Sequence, residues 1–273
     1  MTPPNNMLYA IPTTVLVPVL LALLFGVTIL GARRGRRRSA HVSEAERAQV
    51  SALQASLMGL LALLVGFSFS LALSRFDAHS VSVVNEANAI GTAWLRSDLL
   101  AGTDRDALRS ALADYAASRL KTTGMTLTDE ARYDTEVQTS AAVFRTAWKI
   151  AADANRIKPN EATGAVVSAL NDMIDSFSVL DANLHRHVPE AVLYLLIASL
   201  LFLGWVIGLS AGENGMFPPL PVMVLMVLIV LLLALIFDLD RPRRGMLTVD
   251  QTPLVTTATQ ILTEAGRAPL AGN

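Results

Sequence analysis

The chain alternates between long stretches without charge and stretches in which apolar residues recur every third or fourth position. Four windows reach the roughly 20 consecutive apolar residues that a membrane helix needs. They are residues 13–32, "TTVLVPVLLALLFGVTILGA"; about 55–74, "ASLMGLLALLVGFSFSLALS"; 191–211, "AVLYLLIASLLFLGWVIGLSA"; and about 220–237, "LPVMVLMVLIVLLLALIF". A core helix of a globular protein is shorter and keeps a polar stripe, so burial in a soluble fold does not account for these windows. Pro18 lies within the first, where neighbouring helices make a proline tolerable. The first window is not expected to be a cleaved signal. "MTPPNNMLYAIP" carries no basic residue, and no small-residue cleavage site precedes Arg33.

Between the second and third windows the period is helical. Val83, Ala87, Ile90 and Trp94 fall on one face of a helix that continues out of the second window, with no proline between. Gly102 breaks it, with Thr103 as a candidate N-cap. Leu108, Leu112, Tyr115 and Leu120 mark the next helix, which ends near Gly124. A helix over about 129–157 carries Tyr133, Val137, Phe144, Trp148 and Ile150. Another, from Asn160, carries Val166, Leu170, Met173, Ile174, Phe177 and Leu180. Pro189 and Glu190 suit the first turn of the third span. No strand alternation appears. The predicted class is all-α: an integral membrane protein with four transmembrane helices and a helical extramembrane bundle. Its expected organisation is a transmembrane hairpin over 1–74 with a basic loop at 33–50, a helical domain over 75–188, a second hairpin over 189–240, and a polar tail over 241–273.

Composition supports this class. Of 273 residues, 52% are hydrophobic and only 16% charged, against about a quarter charged in soluble domains. The net charge of −1 gives no global field for nucleic acid, which is not expected as a partner. With no cysteine, disulfides, thiolate metal sites and thiol nucleophiles are absent. No Walker loop, HExxH or GxSxG motif is present, so neither catalysis nor a cofactor is expected. His185 and His187 project from different helical faces, and Asp172 with Asp175 read as solvated; no metal site is assigned. Arg33, Arg34, Arg36, Arg37 and Arg38 follow the first span directly. Such a run acts as a topology signal, preferred here over a lipid-headgroup or nucleic-acid site, and keeps its segment cytoplasmic. Arg241, Arg243 and Arg244 oppose it after the fourth span. The denser run places the N-terminus and the helical domain outside the cytoplasm.

Two groups of residues stand out as candidates. In the second span Gly59, Leu63, Gly66, Ser70 and Ser74 recur at helical spacing along one face. That face either packs closely against another helix, the preferred reading, or lines a narrow pore. Just beyond lie Asp77, Glu86, Asn88 and Arg96, and after the fourth span Asp240 and Arg241. They form either a polar lock, with Glu86 set against Arg96 or Arg241, or a carboxylate ring at a pore mouth.

The stretches "GFSFSLALSRFDAHSVSVVNEANAIGTAWLR", "LNDMID", "VPEAVLYLLIASL" and "DLDRPRRGMLTVDQTPL" together resemble the bacterial membrane proteins grouped as a bestrophin-like domain family of unknown function. The likeness runs from about residue 16 to residue 254. It is most specific at Phe76, Asp77, Glu86, Ala87, Asn88, Asp240, Arg241, Pro242 and Gly245. It implies distant kinship with bestrophins, pentameric anion channels whose second span lines the pore. Two functions remain open. One is an oligomeric ion channel of the bacterial inner membrane, with the lipid bilayer, like copies and small ions as partners. The other is a membrane-anchored structural or interaction module whose helical domain binds a protein.

Overall fold

The computed structural model describes residues 12–123, 125, 130–241 and 247–267. Pro242, Arg243, Arg244, Gly245 and the breaks near Gly124 and residue 129 lie outside them. The elements in order are α1 (Thr13–Arg38), a 3-10 turn (Ser39–His41), α2 (Glu44–Ser97), α3 (Gly102–Thr123), α4 (Glu130–Ile157), α5 (Glu161–Leu184), α6 (Glu190–Glu213), α7 (Leu220–Leu239) and α8 (Thr252–Glu264). No strand occurs among the described residues. Four helices, α1, α2, α6 and α7, are long and apolar enough to cross a membrane.

The expected basic loop at 33–50 is mostly helix. α1 runs on through Arg38, because arginine is a good helix former and cations suit the last turn. α2 begins soon after at a reciprocal cap. The Ser43 backbone N–H donates to Glu46 Oε2 at 2.9 Å, and the Glu46 N–H donates to Ser43 Oγ at 3.3 Å. α2 then continues for 54 residues without a break.

The chain divides into two compact units: Met1–Ser74 with His187–Arg241, and Arg75–Arg186 with Pro242–Asn273. In the first unit, α1 and α6 run parallel with their backbones in contact. Gly31 faces Trp205 and Leu209, and Gly35 faces Leu209 and Glu213. On the other side, a Cβ placed at Gly208 would sit 2.1 Å from the Thr28 carbonyl oxygen, and one at Gly212 would sit 2.2 Å from that of Ala32. Only glycine permits this approach. Lipid tails are as apolar as leucine, so membrane helices gain little from apolar burial against each other. Dispersion and Cα–H···O contacts at short range hold them instead. α7 adds a buried stripe of Met226, Val230, Leu233 and Ile236.

In the second unit the predicted apolar faces meet in one core. Val83, Ile90, Trp94, Leu108, Leu112, Tyr115, Tyr133, Phe144, Val166, Leu170, Met173 and Leu180 are all buried there. Gly102 is the first residue of α3 rather than a break before it, and its φ of 58° suits glycine. α5 starts at a capping box between Asn160 and Thr163. The segment expected as a polar tail is instead partly core: α8 buries Leu254, Ala258, Ile261 and Leu262. Those four recur at helical spacing within a threonine-rich stretch, and that stripe is why the segment folds back. It packs on α3, and Trp94 Nε1 donates to Glu264 at 2.6 Å.

Gly208→Ala is expected to destabilise the protein by about 1–3 kcal/mol, because the new methyl must push two backbones apart. Gly59→Ala, where nothing in the chain lies within 4 Å, should change stability by no more than about 1 kcal/mol. Thermal unfolding in neutral detergent measures both.

Candidate functional site

Every member of the small-residue face of α2 is exposed in the single chain: Gly59, Leu63, Gly66, Ser70 and Ser74. Leu63 is 56% exposed, and Phe67 beside it 67%. The opposite face, Leu61, Val65, Ser68 and Ala72, is buried. Nothing in the chain lies within 4 Å of a Cβ at Gly59 or Gly66. These glycines therefore take no part in packing within the chain, which is carried by Gly31, Gly35, Gly204, Gly208 and Gly212. What the open face presents is two glycines, two hydroxyls and the side chain of Leu63, with Phe67 at its edge and no charge.

The six polar candidates are not gathered into one cluster. Glu86 is fully buried, and its partner is Arg119, not Arg96 or Arg241. Arg119 Nε donates to Glu86 Oε1 at 2.5 Å and Nη2 to Oε2 at 3.0 Å, a bidentate fork. Arg119 Nη1 also donates to Thr122 Oγ1 at 2.7 Å, and the guanidinium lies 4.6 Å from the centre of the Phe177 ring. Burial alone would weaken the Arg119 charge, but the carboxylate more than offsets this and holds the group above the ordinary arginine range. Arg96 is used differently, donating to the Ala165 carbonyl at 3.1 Å and so tying α2 to α5. Asp77 and Asn88 are exposed.

Asp240 and Arg241 belong to a second buried polar group, where the ends of α1, α6 and α7 meet. The Val188 N–H donates to Asp240 Oδ2 at 2.8 Å, and His187 Nδ1 lies 3.2 Å from the Asp240 carbonyl oxygen. Arg241 donates to Thr13 Oγ1 at 3.5 Å and lies over the Phe237 ring at 5.9 Å. Both arrangements join helices.

Arg119 and Thr122 were not among the residues expected at a site, and His187, weighed only as a metal ligand, instead meets Asp240. A signal for the first was present. Leu108, Leu112, Tyr115, Arg119 and Thr122 follow one helical phase, so an arginine stands on the apolar face of α3, and a cation there requires a buried anion. Tyr115 lies beside this pair with a hydroxyl that makes no hydrogen bond among the described residues. Burial pushes that hydroxyl well above its usual value of 10.0.

A family model described as Bestrophin-like domain matches residues 20–254. Among solved structures, a bacterial bestrophin homologue from Klebsiella pneumoniae carrying a point mutation aligns at 17% identity and a TM-score of 0.67, over 92% of this chain and 99% of that one. A second structure of a Klebsiella pneumoniae bestrophin homologue, phased on zinc, aligns at 15% identity and a TM-score of 0.64, over 93% and 98%. At these identities the likeness is one of fold. No curated protein matches the sequence.

Glu86→Gln is expected to cost about 3–5 kcal/mol by stranding the Arg119 charge, whereas the paired replacement of Glu86 and Arg119 by methionine recovers most of the loss. Thermal unfolding of the three variants in detergent tests this. The raised Tyr115 value favours the protonated folded state, so its contribution is complete below about pH 10 and is lost as pH rises further. Tyr115→Phe should therefore unfold at a higher pH than the parent in an alkaline titration.

Proposed function

Since the chain belongs to the bestrophin-like domain family, we propose that it is an oligomeric ion channel in which α2 of each copy lines a central passage. The observation that carries this is the open face of α2. In one copy, Gly59, Leu63, Gly66, Ser70 and Ser74 are all exposed and nothing lies within 4 Å of a Cβ at Gly59 or Gly66, while the close contacts of the membrane unit are made by other glycines. A ring of such faces forms a narrow conduit of glycines and hydroxyls with one ring of Leu63 side chains. Asp77, one turn beyond Ser74 on the same helix and exposed, supplies a carboxylate from every copy and favours cations at the mouth. Asn88 lies further along the exposed side. Glu86, Arg96, Asp240 and Arg241 brace the helices and do not meet the ion.

The protein would act in the bacterial inner membrane with its N-terminus and helical domain outside the cytoplasm, as the arginine run after α1 favours. No step of bond making or breaking is assigned, and no metal or cofactor is needed.

The natural absence of cysteine makes the test direct. Single cysteines at Gly59, Leu63, Gly66, Ser70 and Ser74 should react with water-soluble thiol reagents in liposomes and block cation flux. Cysteines at Leu61, Val65, Ser68 and Ala72 should stay protected. A protein that purifies as a monomer, passes no ions and shows no reactive position on this face is the membrane-anchored interaction module instead.

A further inference from the structure

The arginines that end α1 are held in fixed directions, because they belong to a helix and not to a loop. At about 1.5 Å per residue, residues 13–32 rise about 30 Å, the thickness of the hydrocarbon core. The next turn and a half then lies at the depth of lipid headgroups. The contact of Gly35 with Leu209 and Gly212 fixes the rotation of the helix there. With about 100° between residues, Arg33 and Arg37 project roughly 160° away from that contact, and Arg34 lies to one side. All five arginines of the run are exposed.

Two of them are engaged within the chain. Arg38 pairs with Glu46 at 3.4 Å, and Arg36 lies over the Phe217 ring at 5.2 Å. Arg33, Arg34 and Arg37 make no ion pair among the described residues. Of the acidic groups at this end of the membrane unit, Glu46 is taken by Arg38, Glu213 is buried in the seam between α1 and α6, and Glu44, in the first turn of α2, is exposed and makes no ion pair with these arginines among the described residues. Beside the arginines, the turn between α6 and α7 leaves Met216 61% and Phe217 59% exposed. Guanidinium forks next to bare apolar side chains at this depth match an amphiphile with an anionic phosphate, since arginine binds phosphate through two parallel N–H donors.

We propose that Arg33, Arg34 and Arg37, flanked by the Arg36–Phe217 pair, form a docking surface for the headgroups of anionic phospholipids. The phosphodiester sits among the guanidinium groups, and the first carbons of the acyl chains lie along Phe217 and Met216. This surface anchors the arginine-bearing end of α1 and does not depend on ion conduction.

The test uses the full chain in neutral detergent, exchanged against mixed micelles of phosphatidylglycerol and phosphatidylcholine, with retained lipid counted by mass spectrometry. At low salt, phosphatidylglycerol should be enriched at least about tenfold, given roughly fivefold per arginine near an anionic surface. The R33Q/R34Q/R37Q protein should fall to near parity. Single R33Q and R37Q proteins, each altered at an exposed position without an ion pair, should keep the fold and each lose about threefold to fivefold of the preference. Three results would overturn the proposal: parity in the unaltered protein, enrichment that survives the triple change, or displacement of the lipid by millimolar inorganic phosphate, which would mark a site for free anions.

Discussion

The membrane unit rests on the contact between the backbones of α1 and α6. In lipid, two apolar helices gain almost nothing by hiding apolar surface, so they associate only where they fit closely enough for dispersion and weak Cα–H···O bonds to act. Gly31 and Gly35 on one helix, and Gly204, Gly208 and Gly212 on the other, supply that fit by leaving out side chains. The pair fixes how α1 is rotated, and through that rotation it decides which arginines at the end of α1 face outward.

The same residue type serves α2 in the opposite way. Gly59 and Gly66 meet nothing within the chain. α2 leaves this face bare in the single chain and buries Leu61, Val65, Ser68 and Ala72 on the opposite one. The close packing of the membrane unit is made elsewhere, at the α1–α6 seam.

Outside the membrane unit the demand is different. Apolar burial drives the helices of the second unit together, and a charge inside that core must bring its counter-charge with it. Glu86 and Arg119 satisfy each other with two hydrogen bonds, and Thr122 and Phe177 occupy the remaining sides of the guanidinium. Such a pair adds little net stability over apolar side chains of equal size, but it penalises any register of α2 against α3 in which the two do not meet.

The sequence by itself determined the class, the four spans and the faces that form the soluble core. In lipid every backbone N–H and C=O must be satisfied within the segment, so apolar length alone specifies a helix, and the periodic positions from Val83 to Leu180 needed only to be counted. Three further features were legible in short patterns: the Ser43–Glu46 cap that shortens the basic loop, the arginine on the apolar phase of α3, and the stripe Leu254, Ala258, Ile261 and Leu262 that turns an apparent tail into α8. What only the tertiary structure decided is pairing. Glycines in α1, α2 and α6 look alike in sequence, and whether one packs or stays bare depends on a neighbour distant along the chain. The choice of Arg119 over Arg96 or Arg241 for Glu86 likewise follows from which helices share a core, because charge attracts without regard to sequence position.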